Sequence, residues 1–446
     1  MPPVCALQSL FLADAPVVRC RRVRKAPSEE EEFARCSKKL PIFRDVTNLC
    51  ESRKREAPKK KTDEIKKKAR ESPLDPFSSR YRRELEAEAL KRTVGDAAVV
   101  DERSHAAPFA VRRMKATGSK SERRVLAATP STTKVHFAPP FAYLGHGTYG
   151  AVFKVSGEAL KIERPVASLP WELLVSRLFR EREKISSSKK GGVVMAPTKL
   201  WLFRDAAALA MPAYEGSLAE VLRHKKMPET AALYLAVAVS EPVARLHACD
   251  LLHCDLKPDN YLFQFDHNAE SSSRSKNSDA WDEIVEVYGD ESLPSVVLAD
   301  FGRAIDLRRH AASTTFQSNR AHIDDYLWPP AKRAKAAWTH QVDRYALGVV
   351  LHLLALGHLP PSSGPTTKLP RGWDPTFWHA AFELLLADDQ STSLEDIYRH
   401  ARRSLAAALR RDTGGLRRGM ASLGDHFRDL KRHLRQHQLQ RAQGFS

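Results

Sequence analysis

Hydrophobic residues are spread unevenly along this chain, and the unevenness divides it. Before about residue 140 long apolar runs are scarce and charged residues interrupt those that exist. Two stretches there, near 62–71 and 80–92, read as charged helices. After residue 140 the pattern changes. Ala151-Val-Phe-Lys-Val155 is rich in β-formers and reads as a strand. Leu174, Val175, Leu178 and Phe179 recur at helical spacing. Residues 218–225 and 230–247 read as two further helices, and Pro242 predicts a kink or an early break in the second. Val296-Val-Leu-Ala is an apolar run of the kind a buried strand shows, and Val342-Asp-Arg-Tyr-Ala-Leu-Gly-Val-Val reads as a buried helix. Residues 416–438 are basic, and Phe427, Leu430 and Leu434 make them one amphipathic helix laid against the preceding domain. No internal repeat is evident.

Four motifs sit on this framework. In Leu251-Leu-His-Cys-Asp-Leu-Lys-Pro-Asp-Asn260 an acid, Asp255, is followed by Lys257 and Asn260. Phosphoryl transfer needs those chemistries together: a base for the incoming hydroxyl, a cation for the migrating charge and an oxygen ligand for Mg²⁺. Upstream, Gly145-His146-Gly147-Thr148-Tyr149-Gly150-Ala-Val152 fits G-x-G-x-x-G-x-V. Its glycines let backbone N–H groups approach an anion without a Cβ clash. A strand rather than a helix follows, which favours a phosphate-covering hairpin over a dinucleotide-binding turn. Then Glu158-Ala-Leu-Lys161 brings one lysine onto a strand, with Glu172 its chosen helical partner and Glu181 the alternative. Downstream, the strand at 296–299 ends in Asp300-Phe-Gly302.

These residues resemble a eukaryotic-type serine/threonine protein kinase over about 140–410. Several phrases further resemble the conserved herpesvirus protein kinases: the short Lys161–Glu172 spacing, Met211-Pro-Ala-Tyr-Glu, Val297-Leu-Ala-Asp-Phe and Val342-Asp-Arg-Tyr-Ala-Leu-Gly. The resemblance implies an α+β, bilobal protein kinase fold. A small antiparallel N-lobe with one helix is expected at 140–211, a hinge at 211–217 and a mainly helical C-lobe at 218–410. It implies ATP under residues 145–150, with Lys161 and Glu172 on its phosphates and the backbone near Met211 and Ala213 on its adenine. Ala210 or Met211 would control the pocket behind the base. Asp255 and Lys257 would be catalytic, and Asn260 and Asp300 would bind Mg²⁺. Asp343 is expected to anchor the catalytic-loop backbone, to cap its helix, or both. The Asp-Leu-Lys-Pro-Asp-Asn loop implies serine and threonine acceptors on protein substrates. The family implies a nuclear, virion-associated enzyme that autophosphorylates. A scaffold that binds partners without phosphoryl transfer is the alternative reading.

Three departures change the expectations. Cys254 stands where an arginine usually pairs with a phosphorylated activation loop, which points to activity independent of that phosphate. Ala331, in Trp328-Pro-Pro-Ala331, replaces a glutamate that usually braces the C-lobe. About forty residues separate Asn260 from Asp300, so 266–293 reads as an exposed inserted loop. Lys161, Asp255 and Asp300 are all retained.

Charge adds the tails. The net charge is +18, and residues 1–139 hold 32 Lys and Arg against 19 Asp and Glu. They are expected to be a largely disordered basic extension, and 411–446 a basic tail. Arg53-Lys-Arg-Glu-Ala-Pro-Lys-Lys-Lys61 with Lys66-Lys-Lys-Ala-Arg70 resembles a bipartite nuclear localisation signal, so a nuclear import receptor is an expected partner. Weak non-specific nucleic-acid contact through the basic tails is the plainer alternative. No segment is long and apolar enough to span a membrane, and the N-terminal apolar run lacks the basic lead of a secretory signal. The six cysteines contain no C-x-x-C pair and no histidines fall at metal-ligand spacing, so a reducing compartment without a zinc site is expected.

Overall fold

The computed structural model describes residues 73–93, 95–115, 122–128, 141–146, 150–164, 168–186, 192–223, 227–264, 293–317, 337–361, 368–384, 393–412 and 414–443. The import-signal residues, the expected helix at 62–71, the inserted loop up to 292 and Trp328–Ala331 lie outside these residues.

The first described helix, α1 (Ser79–Thr93), buries Tyr81, Leu85, Ala89 and Thr93, one residue per turn along a single face. It is followed by β1 (Val99–Glu102), β2 (Phe109–Lys115) and β3 (Glu122–Ala128). The glycine-rich hairpin is β4 (Phe141–His146) and β5 (Gly150–Val155), followed by β6 (Glu158–Glu163), α2 (Leu169–Ser186), β7 (Lys199–Phe203) and β8 (Ala207–Pro212). Six of these strands form one sheet in the order β1-β7-β8-β6-β5-β4. Alternation along β5 and β6 places Phe153, Leu160 and Ile162 in an apolar layer with Phe109 and Phe203, whose rings meet edge to face at 5.6 Å.

The second half begins with β9 (Gly216–Ser217) and α3 (Leu218–Val221), whose N-terminus carries a capping box between Ser217 and Glu220. Then come α4 (Glu229–Ala248), β10 (Leu251–Leu252), β11 (Tyr261–Gln264), β12 (Ser295–Leu298) and β13 (Ile305–Asp306). The helices α5 (Gln341–Leu356), α6 (Pro375–Glu383), α7 (Leu394–Arg411) and α8 (Gly415–Gln443) complete it. Helix α4 is buried on most of its surface and is the axis around which α5, α7 and α8 pack. Two short ladders, β11 with β9 and β12, and β10 with β13, deliver the loops between the lobes.

The two-lobed arrangement matches expectation, with four corrections. Residues 1–139 were expected to be largely disordered with a charged helix near 80–92; that helix forms as α1, but it lies in the main hydrophobic core with Trp171 and Phe179 of α2, and 73–115 also contain β1 and β2. The N-lobe sheet is not purely antiparallel, because β1 pairs in parallel with β7, Val99 opposite Leu200. Helix α4 runs through Pro242 without a break. The missing N–H removes one helical bond, but Val239, Ser240, Val243 and Ala244 around it are buried, and their packing carries the helix on to Ala248. The domain also does not stop at 410. Leu416, Met420 and Leu423 of α8 are buried in the core, and a Cβ on Gly419 would stand 2.5 Å from the Ala231 methyl of α4. The expected tail helix is therefore part of the domain through Leu416, Met420 and Leu423; the side chains of Phe427, Leu430 and Leu434 lie outside the described residues.

If α1 belongs to the core, Leu85→Ala should lower the unfolding free energy by about 2–5 kcal/mol in denaturant titration, as buried leucines do. Arg83→Ala, on the exposed face, should change it by less than about 0.5 kcal/mol. Equal effects would place α1 outside the cooperative unit.

Candidate active site

The lysine selected from sequence is the meeting point of three elements. Lys161 on β6 donates to Glu172 Oε2 on α2 at 2.7 Å and to Asp300 Oδ1 at 2.8 Å. Glu172 is 1 % exposed, whereas Glu181 faces solvent, so the structure selects Glu172 despite the spacing of 11 residues. The short spacing is possible because residues 169–172 already form the first turn of α2, which Glu163 caps by accepting from the Ser168 and Leu169 N–H groups at 2.7 and 3.3 Å. Burial opposes the charge on Lys161, but Asp300 and Glu172 more than reverse this and hold the ammonium above the usual lysine range. Burial likewise opposes ionisation of Asp300, and Lys161 overrides it, keeping the carboxyl well below the usual range. Burial pushes Glu172 up to about 7 against the pull of Lys161.

The catalytic-loop residues stand on a second buried frame. Asp343, in the first turn of α5, accepts from the backbone N–H of His253 at 2.7 Å and of Cys254 at 2.8 Å, and contacts His247 Nε2 at 3.0 Å. It is an anchor for the loop and not the helix cap, since His340 occupies the N-cap position, where no side-chain cap bond is made. Burial raises the Asp343 carboxyl, but the bond from His247 and the backbone donors outweigh burial and leave it below the usual range. His253 is buried and bridges Asp255 N–H on Nδ1, 3.2 Å, to the Ala299 carbonyl on Nε2, 3.0 Å. Those partners require the proton on Nε2. Cys254 and Asp300 both have positive φ, 61° and 67°. An aspartate tolerates that region more readily than a cysteine, so Cys254 stores strain of about 1–3 kcal/mol that the Asp343 bond holds in place.

Within this frame Asp255 Oδ2 receives Lys257 Nζ at 3.0 Å and its Oδ1 receives Arg303 Nη1 at 3.1 Å. Asn260 donates its amide to the Asp255 carbonyl at 2.7 Å, which leaves its side-chain oxygen as the end able to meet a cation. The Ala299 N–H to Asn260 carbonyl bond, 2.9 Å, sets Asn260 beside Asp300 at one end of the β11–β12 pair. One carboxylate and one amide oxygen at the mouth of a phosphate site fit Mg²⁺, which takes few protein ligands and completes its shell with water and substrate oxygens. Among the described residues no group of three His, Cys, Asp or Glu side chains could hold a metal by itself.

The base-binding side is apolar. Ala159, Met211 and Ala299 are buried in one cluster, and Val152, Ala213 and Leu262 pack against it half-buried. Ala210 lies instead in the outer N-lobe layer. Leu262 was not singled out from sequence, although its place two residues after Asn260 on β11 was a usable signal. Arg303 was also missed, since nothing in the order of residues shows that it reaches Asp255. In the hairpin, a Cβ on Gly145 would meet no atom within 4 Å, whereas one on Gly150 would stand 2.5 Å from the Ile162 carbonyl. Gly150 is thus needed for strand packing, whereas a side chain at Gly145 would meet no described atom. His146 is exposed and its Nδ1 is bonded to the Tyr143 hydroxyl. Gly147, Thr148 and Tyr149 lie outside the described residues.

A mixed-sheet lobe and a helical lobe, with a paired lysine above and an aspartate-lysine loop below, define the protein kinase class of fold. Residues 141–372 match the protein kinase domain family, and the chain belongs to it. It is 24% identical over 275 residues to the spindle assembly checkpoint serine/threonine-protein kinase BUB1 of Saccharomyces cerevisiae, covering 56% of this chain and 25% of that protein. It is 24% identical over 287 residues to the mitotic checkpoint serine/threonine-protein kinase BUB1 of Arabidopsis thaliana, covering 58% of this chain and 51% of that one. The chain thus spans between a quarter and half of the length of these relatives. The crystal structure of the BubR1 kinase domain superposes with a TM-score of 0.56 at 22% identity, over 79% of this chain and 100% of that one. It shows the same fold.

The low Asp343 carboxyl has a stability consequence. A group depressed in the folded state stabilises the fold above its unfolded value of about 3.9, and that contribution disappears as pH falls through the folded value. Asp343→Asn should lose about 1–3 kcal/mol at pH 7, where an amide faces backbone donors. The deficit should shrink as pH drops below about 4. A pH-independent deficit in urea titrations would show that the charge is not what holds the loop.

Proposed function

We propose that this chain is an ATP- and Mg²⁺-dependent protein kinase that transfers the γ-phosphate to serine and threonine hydroxyls of proteins. The observation that carries the reading is the Asp255 carboxylate. It is oriented by Lys257 and Arg303 and shares a cleft with the Lys161–Asp300 pair. Lys161, braced by Glu172, would hold the nucleotide phosphates. Asp300 and the Asn260 oxygen would hold the metal, which supplies charge neutralisation on the phosphates. Asp255 accepts the proton of the incoming hydroxyl as its oxygen bonds to phosphorus. The bond from phosphorus to the ADP oxygen breaks, and ADP leaves with that electron pair. Lys257 offsets the negative charge on the transferring group. Positioning and fixed charges supply the rate. The Asp-Leu-Lys-Pro-Asp-Asn loop supports the serine/threonine class, as does the likeness to two serine/threonine-protein kinases.

The finer assignment is a herpesvirus-type kinase that acts in a host nucleus, is carried in the virion and autophosphorylates. It rests on the 11-residue Lys161–Glu172 spacing and on the short phrases around 211–215, 297–301 and 342–348. The relatives named above are cellular checkpoint kinases. Nuclear entry rests on the two basic clusters at 53–61 and 66–70.

Radiolabelled transfer from ATP with Mg²⁺ tests the chemistry. Wild type should yield phosphoserine or phosphothreonine, and Lys161→Met and Asp255→Asn should each lose about a hundredfold or more. A well-folded wild type that transfers nothing to a general protein substrate would move the reading to a scaffold. Imaging of the full chain in infected or transfected cells tests its address. Alanines at Lys66, Lys67 and Lys68 should shift it from nucleus to cytoplasm, and an unchanged distribution would remove the import signal.

A further inference from the structure

The stretch upstream of the kinase motifs reaches into the catalytic centre. Arg82 of α1 donates through Nη1 to the Gly302 carbonyl at 2.7 Å, across 220 residues of sequence. Arg303, the next residue, is the one that donates to Asp255. Both guanidiniums lie over the same ring, that of Phe77, with centroid distances of 5.3 and 5.9 Å. Phe77 in turn stacks on Trp338 at 6.1 Å.

The same segment ties down the chain on both sides of the catalytic turn. Leu74 N–H donates to the Thr315 carbonyl at 3.0 Å, and Gln317 N–H donates to the Leu74 carbonyl at 2.9 Å. Phe316, between them, exchanges both backbone bonds with Trp338 at 2.8 Å. The Tyr81 hydroxyl meets His310 Nε2 at 2.9 Å, and Glu88 pairs with Arg309. Residues 74–88 therefore contact 302, 309, 310, 315–317 and 338, where the chain leaves the Asp-Phe-Gly turn and where it returns toward α5.

This is also the neighbourhood of the missing arginine. Burial drives the Cys254 thiol well up and the Asp343 charge adds to it, while the charges of Arg82 and Arg303 act in the opposite direction. Both guanidiniums are thus within electrostatic reach of position 254. The cationic function absent from the catalytic loop is present in space, supplied from another part of the sequence.

We propose that residues 74–88 are a built-in clamp that orders 302–317 without a phosphate, with Arg82 as its positioning residue. Arg82 fixes the Gly302 carbonyl, the fixed turn aims Arg303 at Asp255, and Phe77 keeps the two cations side by side. This rests on the kinase reading above and adds to it the device that replaces activation-loop phosphorylation.

The test uses the full chain after phosphatase treatment, as wild type, Arg82→Ala, Arg82→Lys and Arg83→Ala. It reads kcat, the KM for ATP, melting temperature and amide hydrogen exchange over 302–317. Dephosphorylated wild type should keep most of its rate. Arg82→Ala should lower kcat about tenfold or more, leave the KM for ATP within about twofold and speed exchange at 302–317. Arg82→Lys should recover part of the loss, and Arg83→Ala should match wild type. The clamp is overturned if Arg82→Ala matches wild type in rate and exchange, or if dephosphorylation removes most of the wild-type rate. It is also overturned if rate and melting temperature fall together with no recovery in Arg82→Lys. An inert wild type whose exchange at 302–317 still rises in Arg82→Ala would refute the kinase reading and keep the clamp. An inert wild type with unchanged exchange would refute both.

Discussion

The Lys161 ammonium is the interaction on which the geometry of the cleft depends. It is a cation on the N-lobe sheet, bonded at 2.7 and 2.8 Å to a carboxylate on α2 and to one that follows β12. Each charge alone would be costly where it sits, and together they are tolerable only while all three elements are in register. At an effective dielectric constant of about 20, a pair about 4 Å apart is worth about 4 kcal/mol, so losing one member is felt by both lobes. The depressed Asp300 and the raised Lys161 express the same constraint, since each keeps the other charged.

Below the cleft a buried aspartate does the corresponding work for the backbone. Asp343 gathers the His253 and Cys254 N–H groups, and this fixes the direction of Asp255 and, through the next turn, of Asn260. The cost of an unusual φ at Cys254 and of a buried carboxylate is offset by bonds that each group makes to the other. Rigid positioning is what phosphoryl transfer asks of a protein, and here it comes from two buried acids rather than from the exposed surface of the loop.

The upstream segment extends this economy beyond the family-matched residues 141–372. Helix α1 and strand β1 add a packed face to α2 and an edge to the sheet, so the element carrying Glu172 is enclosed on the side that would otherwise meet solvent. Ion pairs Arg177–Asp96 and Arg309–Glu88 tie the C-terminal half of α1 and the turn after it to α2 and to the chain beyond β13.

Much of the site was legible because its residues act at short range in the chain. Asp255, Lys257 and Asn260 lie within six positions, and the Asp300-Phe-Gly turn ends an apolar strand, so order alone assigned their chemistry. Glu172 was legible from its helical stripe. The charged helix near 80–92 was legible as well, but the packing of the extension was not. The apolar contribution of α1 is Tyr81, Leu85 and Ala89, one residue per turn among charges, which as sequence is indistinguishable from a solvated helix. β1 has four residues, two of them acidic, and gains its strand character only from the exposed edge of β7. Pro242 broke the local rule because burial on both sides of it outweighed one lost bond. The sequence by itself determined the fold class and which side chains are candidates for the chemistry, since those depend on local spacing and residue type. Only the tertiary structure decided that Arg82 meets the Gly302 carbonyl beside the arginine that bonds Asp255, because a contact across 220 residues has no local signature.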